Sequence, residues 1–210
     1  FQLSLTKEEM SSMTSSRKLT LDDITDVRAY EREREGFRTS VMELKRRRRV
    51  HVGTVITFLF ETRDTIRFQV QEMARVEKLV TDDQIQIELD IYNPMIPEPG
   101  QVTATMFIEL TSEAQMLEWL PKLVNVERSV LLVLSNGDQV RAVLDQQHEQ
   151  GLTREQVTAA VHYLRWSFTP EQVDAFQAGS VQLRIDHPAY SETIELTDLA
   201  KAELASDLIG

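Results

Sequence analysis

The sequence predicts an α+β fold: one domain on a largely antiparallel mixed sheet, with flanking helices and a long N-terminal helix. Three observations predict it. Val27, Tyr30, Phe37, Val41 and Leu44 recur at three-, four- and seven-residue spacings, the apolar seam of a helix. Two β-rich runs, Ser129–Leu134 and Gln139–Leu144, flank Asn136-Gly137, a pair that favours a two-residue hairpin turn of the primed type. The remaining runs follow hairpins rather than regular βαβ alternation, which favours an antiparallel sheet with segregated helices.

Taken in order, residues 1–17 are Ser-, Thr- and Met-rich and read as a flexible tail, and 18–210 as the domain. Thr20 caps a helix of roughly 20–25 residues whose outer face alternates Glu and Arg, a self-paired solvated surface. Lys45-Arg46-Arg47-Arg48-Arg49 ends it, either as favourable charge at a helix C-terminus or as an anion-binding patch. A turn at Gly53 leads into a strand from Thr54 to Glu61. A helix then starts at Asp64 or Thr65 and runs to about Leu79, and Thr81 caps another that ends at Asn93-Pro94. Gln101–Leu110 is a strand, and Pro121 breaks the helix that follows it. Asp145–Glu155 is a polar loop. Thr158–Phe168 reads as a central strand, apolar on both faces. A short helix with Pro170 at its first position, a last strand Ser180–Asp186, a turn at His187–Tyr190 and a helix Thr197–Leu208 complete the chain.

Composition narrows the function. The chain has no cysteine, so it supplies no disulfide, thiolate metal site or cysteine nucleophile. The net charge of −11 is uneven. Residues 17–49 hold eleven Lys/Arg against seven Asp/Glu, and residues 50–210 hold eleven against twenty-five. An acidic body argues against nucleic acid as a partner, because neutralising phosphates needs a cationic face. No apolar run approaches a membrane span and the start lacks a secretory core, so the expected location is cytoplasmic.

No glycine-rich phosphate loop, G-x-S-x-G or H-E-x-x-H is present, so no catalytic residue and no cofactor is named by motif. The candidates lie past the second strand. Glu61, Arg63, Asp64, Arg67, Gln69 and Glu72 crowd twelve residues, and Tyr92-Asn93 offers a rigid polar loop to close over them. Two readings stand: a packed ionic network, or paired guanidinium forks for a small anion. A second set, His162, His187 and Glu72, could supply ligands to a non-haem metal. The structural alternatives are a hydrogen-bonded core histidine for His162 and a turn residue for His187.

These stretches resemble a bacterial family known as domain of unknown function 3501. The likeness rests on Leu19–Asp22, Ala29–Arg34, Lys45–Val50, Phe60–Thr65, Arg67–Gln69, Gln71–Met73, Tyr92–Pro94 with Ile96-Pro97, Val161–Leu164 and Asp186–Tyr190, and it spans 18–208. The resemblance implies association with an iron–sulfur oxidoreductase and a rubrerythrin-like protein, near redox or peroxide metabolism, and transfers no catalytic residue. Three functions follow: an accessory protein that docks a redox partner, a metal-dependent enzyme with a His/carboxylate site, and a binder of a small anion.

Overall fold

The computed structural model describes residues 17–144 and 158–209. The tail and the Asp145–Glu155 loop expected from the sequence lie outside these residues, apart from Arg17.

The fold is α+β, with two antiparallel sheets and six α-helices among the described residues. The first sheet takes the order β1 (Arg49–Val52), β2 (Ile56–Phe60), β3 (Gln101–Ile108), β7 (Val161–Ser167), β6 (Val143–Leu144). The second takes β5 (Gln139–Arg141), β4 (Val130–Val133), β8 (Gln182–His187), β9 (Tyr190–Glu195). The helices are α1 (Val27–Arg47), α2 (Arg63–Glu77), α3 (Asp82–Tyr92), α4 (Glu113–Trp119), α5 (Pro170–Ala178) and α6 (Asp198–Ile209).

The period of two along the strands decides what lies where. Phe58 and Phe60, Val102, Ala104 and Met106, and Leu164 and Trp166 project into a core shared with Leu132, Leu183 and Ile185 of the second sheet. The alternate residues of the first sheet face a smaller cluster, formed by Ile66, Val70, Leu89, Met95 and Ile96 with Tyr163 against them. The first sheet is therefore covered twice, by the second sheet and by helices α2 and α3.

Four boundaries differ from the sequence reading. The N-terminal helix begins at Val27, capped by Asp26, whose carboxylate accepts from the backbone amides of Arg28 and Ala29. Thr20 instead closes a single 3₁₀ turn with Asp23. Helix α2 starts at Arg63 because Thr62, not Asp64, caps it. The hairpin at Asn136-Gly137 is not a primed two-residue turn. Asn136 keeps a negative φ, Gly137 alone is left-handed at φ 91°, and Gly137 N–H donates to Leu134 O at 2.9 Å, so a three-residue loop with a glycine bulge joins β4 to β5. After Pro188-Ala189 the chain makes a further strand, β9, which pairs with β8 along its whole length.

Candidate functional site

Three strands and three helices meet on the helix-covered face of the first sheet. Leu59, Thr105, Phe107, Val161 and Tyr163 rise from the strands, Lys45 comes from the last turn of α1, Thr65, Ile66 and Gln69 from α2, and Tyr92 and Met95 from the end of α3. They enclose a cavity of about 230 Å³, with Glu61 in its wall.

Glu61 follows β2 directly and is 7% exposed. Its backbone is fixed on both sides: the amide donates to Thr103 O at 2.9 Å, and Arg48 Nη2 donates to its carbonyl at 3.4 Å. Its carboxylate accepts from Thr65 Oγ1 at 2.5 Å and Thr105 Oγ1 at 2.6 Å. Thr65 is oriented in turn, because its oxygen accepts from the amide of Thr62. Glu61 thus sits buried on two neutral hydroxyls, and no cation pairs with it among the described residues. Burying a carboxylate without a paired cation is unfavourable, and the two hydroxyl hydrogen bonds offset part of that cost while linking β2, β3 and α2.

The cation it faces across the cavity is Lys45. Burial draws the Lys45 pKa down, Glu61 partly offsets this, and Arg49 adds to it. Its ammonium lies 5.4 Å from the centre of the Phe68 ring. Tyr92 and Tyr163 are both pushed above the usual phenol range, chiefly by burial, and Tyr92 also shares a hydrogen bond with Gln69. The polar groups are therefore an acid, an amine, an amide and two phenols held protonated, against a wall of aliphatic side chains, an arrangement suited to a small polar organic molecule. Below it, a cavity of about 10 Å³ lies between Glu61, Tyr163 and Arg165, and Arg165 Nη2 donates to Pro94 O at 2.9 Å.

Of the residues singled out in the sequence, Glu61, Gln69 and Tyr92 converge here. The others do not. Arg63 pairs with Asp23 at 2.5 Å and donates to Arg17 O, and Arg67 donates to Asp23 O at 2.8 Å while stacking over Phe37. Asn93 donates to Leu19 O and accepts from Leu19 N–H, at 2.9 and 2.8 Å. These three tie residues 17–26 to the helices, and Gln71 does the same at Thr25. Asp64 is exposed in the first turn of α2. Glu72 takes both forks of Arg34 and the hydroxyl of Tyr30, joining α1 to α2.

The metal-ligand candidates lie apart. His162 Nε2 donates to Ala159 O at 2.9 Å on the inter-sheet face of β7, where burial lowers its pKa. His187 Nε2 donates to Val124 O, and its Nδ1 accepts from Ala189 N–H, so it organises the β8–β9 turn. No group of three His, Asp or Glu side chains among the described residues is close enough to hold a metal ion. The basic run is also spoken for: Arg46 pairs with Glu43, Arg47 and Arg48 with Glu203, and Arg49 with Glu109, leaving Lys45 at the cavity.

Sequence reasoning missed Lys45 as a separate residue, and Thr65, Thr105 and Tyr163. The signal for Thr105 was present: Gln101, Thr103 and Thr105 alternate with Val102, Ala104 and Met106 along β3.

No curated protein matches the chain. A crystal structure of a novel protein of unknown function from Burkholderia pseudomallei superposes with a TM-score of 0.84 at 34% identity, over 91% of this chain and 99% of that one. The family described as Protein of unknown function (DUF3501) matches residues 18–208. Because that family's model spans residues 18–208, most of the sequence, the chain belongs to the DUF3501 family.

Proposed function

We propose that this chain is a small-molecule-binding protein whose site is the cavity beside Glu61. One observation carries the reading: a buried carboxylate, positioned by Thr65 and Thr105 and lacking an ion-pair partner among the described residues, opens onto about 230 Å³ of space. That space equals roughly eight waters at ~30 Å³ each, so the ligand is a small metabolite rather than a nucleotide. Glu61 takes a hydrogen-bond donor of the ligand, Lys45 and Gln69 take an acceptor, and Leu59, Ile66 and Phe107 take a short apolar body. A thermal-shift screen of small amino, hydroxy and oxo acids and their neutral analogues tests it. A binder present at a hundred times its Kd adds about 2.7 kcal/mol of native-state stability. Glu61→Gln should abolish that shift and leave the unliganded protein folded. An unchanged shift in this variant would refute the site.

A second reading, docking to a redox partner, has its own support. Helix α3 presents Ile87 and Ile91 to solvent one turn apart, with Asp83 and Asp90 exposed beside them. An apolar stripe rimmed by acids suits a partner with an apolar patch in a basic surround. The iron–sulfur oxidoreductase implied by the family resemblance is the partner to try. A cytoplasmic setting accords with the absence of cysteine. Ile87→Asp with Ile91→Asp should remove co-purification of that oxidoreductase with the tagged chain. Retention by the double variant, or no retention by the parent, would set this reading aside.

A further inference from the structure

Lys45 differs from the other described lysines. Lys18 donates to Ile96 O at 2.7 Å, Lys122 to Glu118 at 2.9 Å and Lys201 to Gln177 O at 3.0 Å. Lys78 is exposed past the end of α2. Lys45 lines a cavity, and among the described residues its amine makes no hydrogen bond or ion pair, only the contact with the Phe68 ring. An amine packed against an aromatic face, with apolar walls, a like charge nearby and a carboxylate across the space, has the surroundings of a lysine nucleophile.

We infer that Lys45 captures a small aldehyde or ketone as an imine inside the Glu61 cavity. This deepens the binding proposal and rests on it. The lowered pKa gives Lys45 more of the neutral amine than an exposed lysine has. In the first step the ammonium gives a proton to Glu61 or to solvent. The Nζ lone pair then forms the N–C bond while the carbonyl π pair moves to oxygen, which takes a proton. The carbinolamine loses its second N–H proton and expels its hydroxyl, protonated, as water. The sum is carbonyl plus primary amine to imine plus water, with no redox change and no co-reactant. Glu61 is placed to carry the proton out and back, and the phenol of Tyr92, kept protonated by burial, is placed to donate to the developing alkoxide.

The experiment is reductive trapping of the intact protein with propanal, butanone or pyruvate and sodium cyanoborohydride, read by intact mass and peptide mapping. The expected adduct adds the mass of the carbonyl compound less one oxygen, and sits on Lys45. It should form at least about tenfold faster there than at exposed Lys78, a small part of what positioning a reactant beside its nucleophile supplies. Lys45→Arg, which keeps the charge and cannot form an imine, should lose the adduct while unfolding as the parent does. If that variant is unstable, protection of Lys45 in the parent by 1-propanol, an unreactive analogue, provides the same discrimination. Equal labelling of Lys45 and Lys78, or undiminished labelling after Lys45→Arg, overturns the inference. Should alcohols and acids stabilise the protein while no carbonyl is trapped at Lys45, the binding site stands and the imine falls. Should neither occur, both fall.

Discussion

Glu72 shows how a single side chain on this molecule is tuned by its partners. Arg34 reaches it with Nε at 2.8 Å and Nη2 at 2.9 Å, and Tyr30 donates its hydroxyl at 2.7 Å. The hydrogen bonds from Arg34 outweigh the effect of burial and hold the carboxyl below the usual glutamate range, and burial together with Glu72 drives the Tyr30 phenol well above its own. A carboxylate with a depressed folded-state pKa binds fewer protons in the native state than in the unfolded chain. Its contribution is therefore complete above the unfolded value, near ~4.3, and disappears as pH falls through the lower folded value. Glu72→Gln should cost about 1–2 kcal/mol at neutral pH, the range for one charged hydrogen-bonded group that is partly screened by solvent. The gap between variant and parent should close under acid, when urea midpoints are compared across that window. A gap independent of pH would mean that packing, not charge, makes this contact.

Among the elements, what could be read from the sequence is what local periodicity and turn chemistry control. Helices α2 and α3 and strands β2, β3, β7 and β8 stand where apolar spacing places them, to within a few residues, and α1 ends where expected but starts later, at Val27. Thr81 and Pro170 act at the helix starts assigned to them. The misses share a physical cause. Thr20 and Asp26 are both competent caps, and only the long-range grip of Arg63, Arg67 and Asn93 on residues 17–26 decides that the helix waits for the second. Asn136-Gly137 permits more than one hairpin loop, and the pairing of Leu131 with Arg141 and of Val133 with Gln139 selects the longer one. Strand β9 is mostly exposed, so no buried face imprinted alternation on Ser191–Glu195. The site was half legible for a related reason. Crowded charge past β2 marked the neighbourhood, and Glu61, Gln69 and Tyr92 did converge, but their charged neighbours turned toward residues 17–26 and α1. Which of two adjacent polar side chains faces a cavity depends on what covers the sheet, and that is settled by contacts distant in sequence, such as Lys45 with Phe68 and Thr105 with Glu61.

On the scale of the whole molecule, Arg48 joins parts that the sequence keeps far apart. It is 1% exposed, yet it lies between the end of α1 and the start of β1. Its guanidinium donates to Phe60 O at 3.0 Å, to Glu203 O at 3.2 Å and Oε2 at 3.3 Å, to Glu61 O and to the Asp207 carboxylate. Five acceptors, on Phe60 and Glu61 at the end of β2 and on Glu203 and Asp207 of α6, thus converge on one planar fork, a task that lysine cannot perform. Burial pushes the Asp207 pKa up, and Arg48 opposes that shift. Replacing one partner of a buried ion pair leaves charge unpaired, so Arg48→Met should cost about 3–5 kcal/mol in urea unfolding. If uncompensated charge is the cause, adding Glu203→Gln and Asp207→Asn to that variant should recover most of the loss, since the space is then filled without a net charge. The same residue holds the Glu61 carbonyl, so ligand-induced stabilisation should weaken in Arg48→Met and return in the triple variant. A triple variant as unstable as the single one would show that the missing backbone hydrogen bonds at Phe60 and Glu61, rather than the stranded carboxylates, set the penalty.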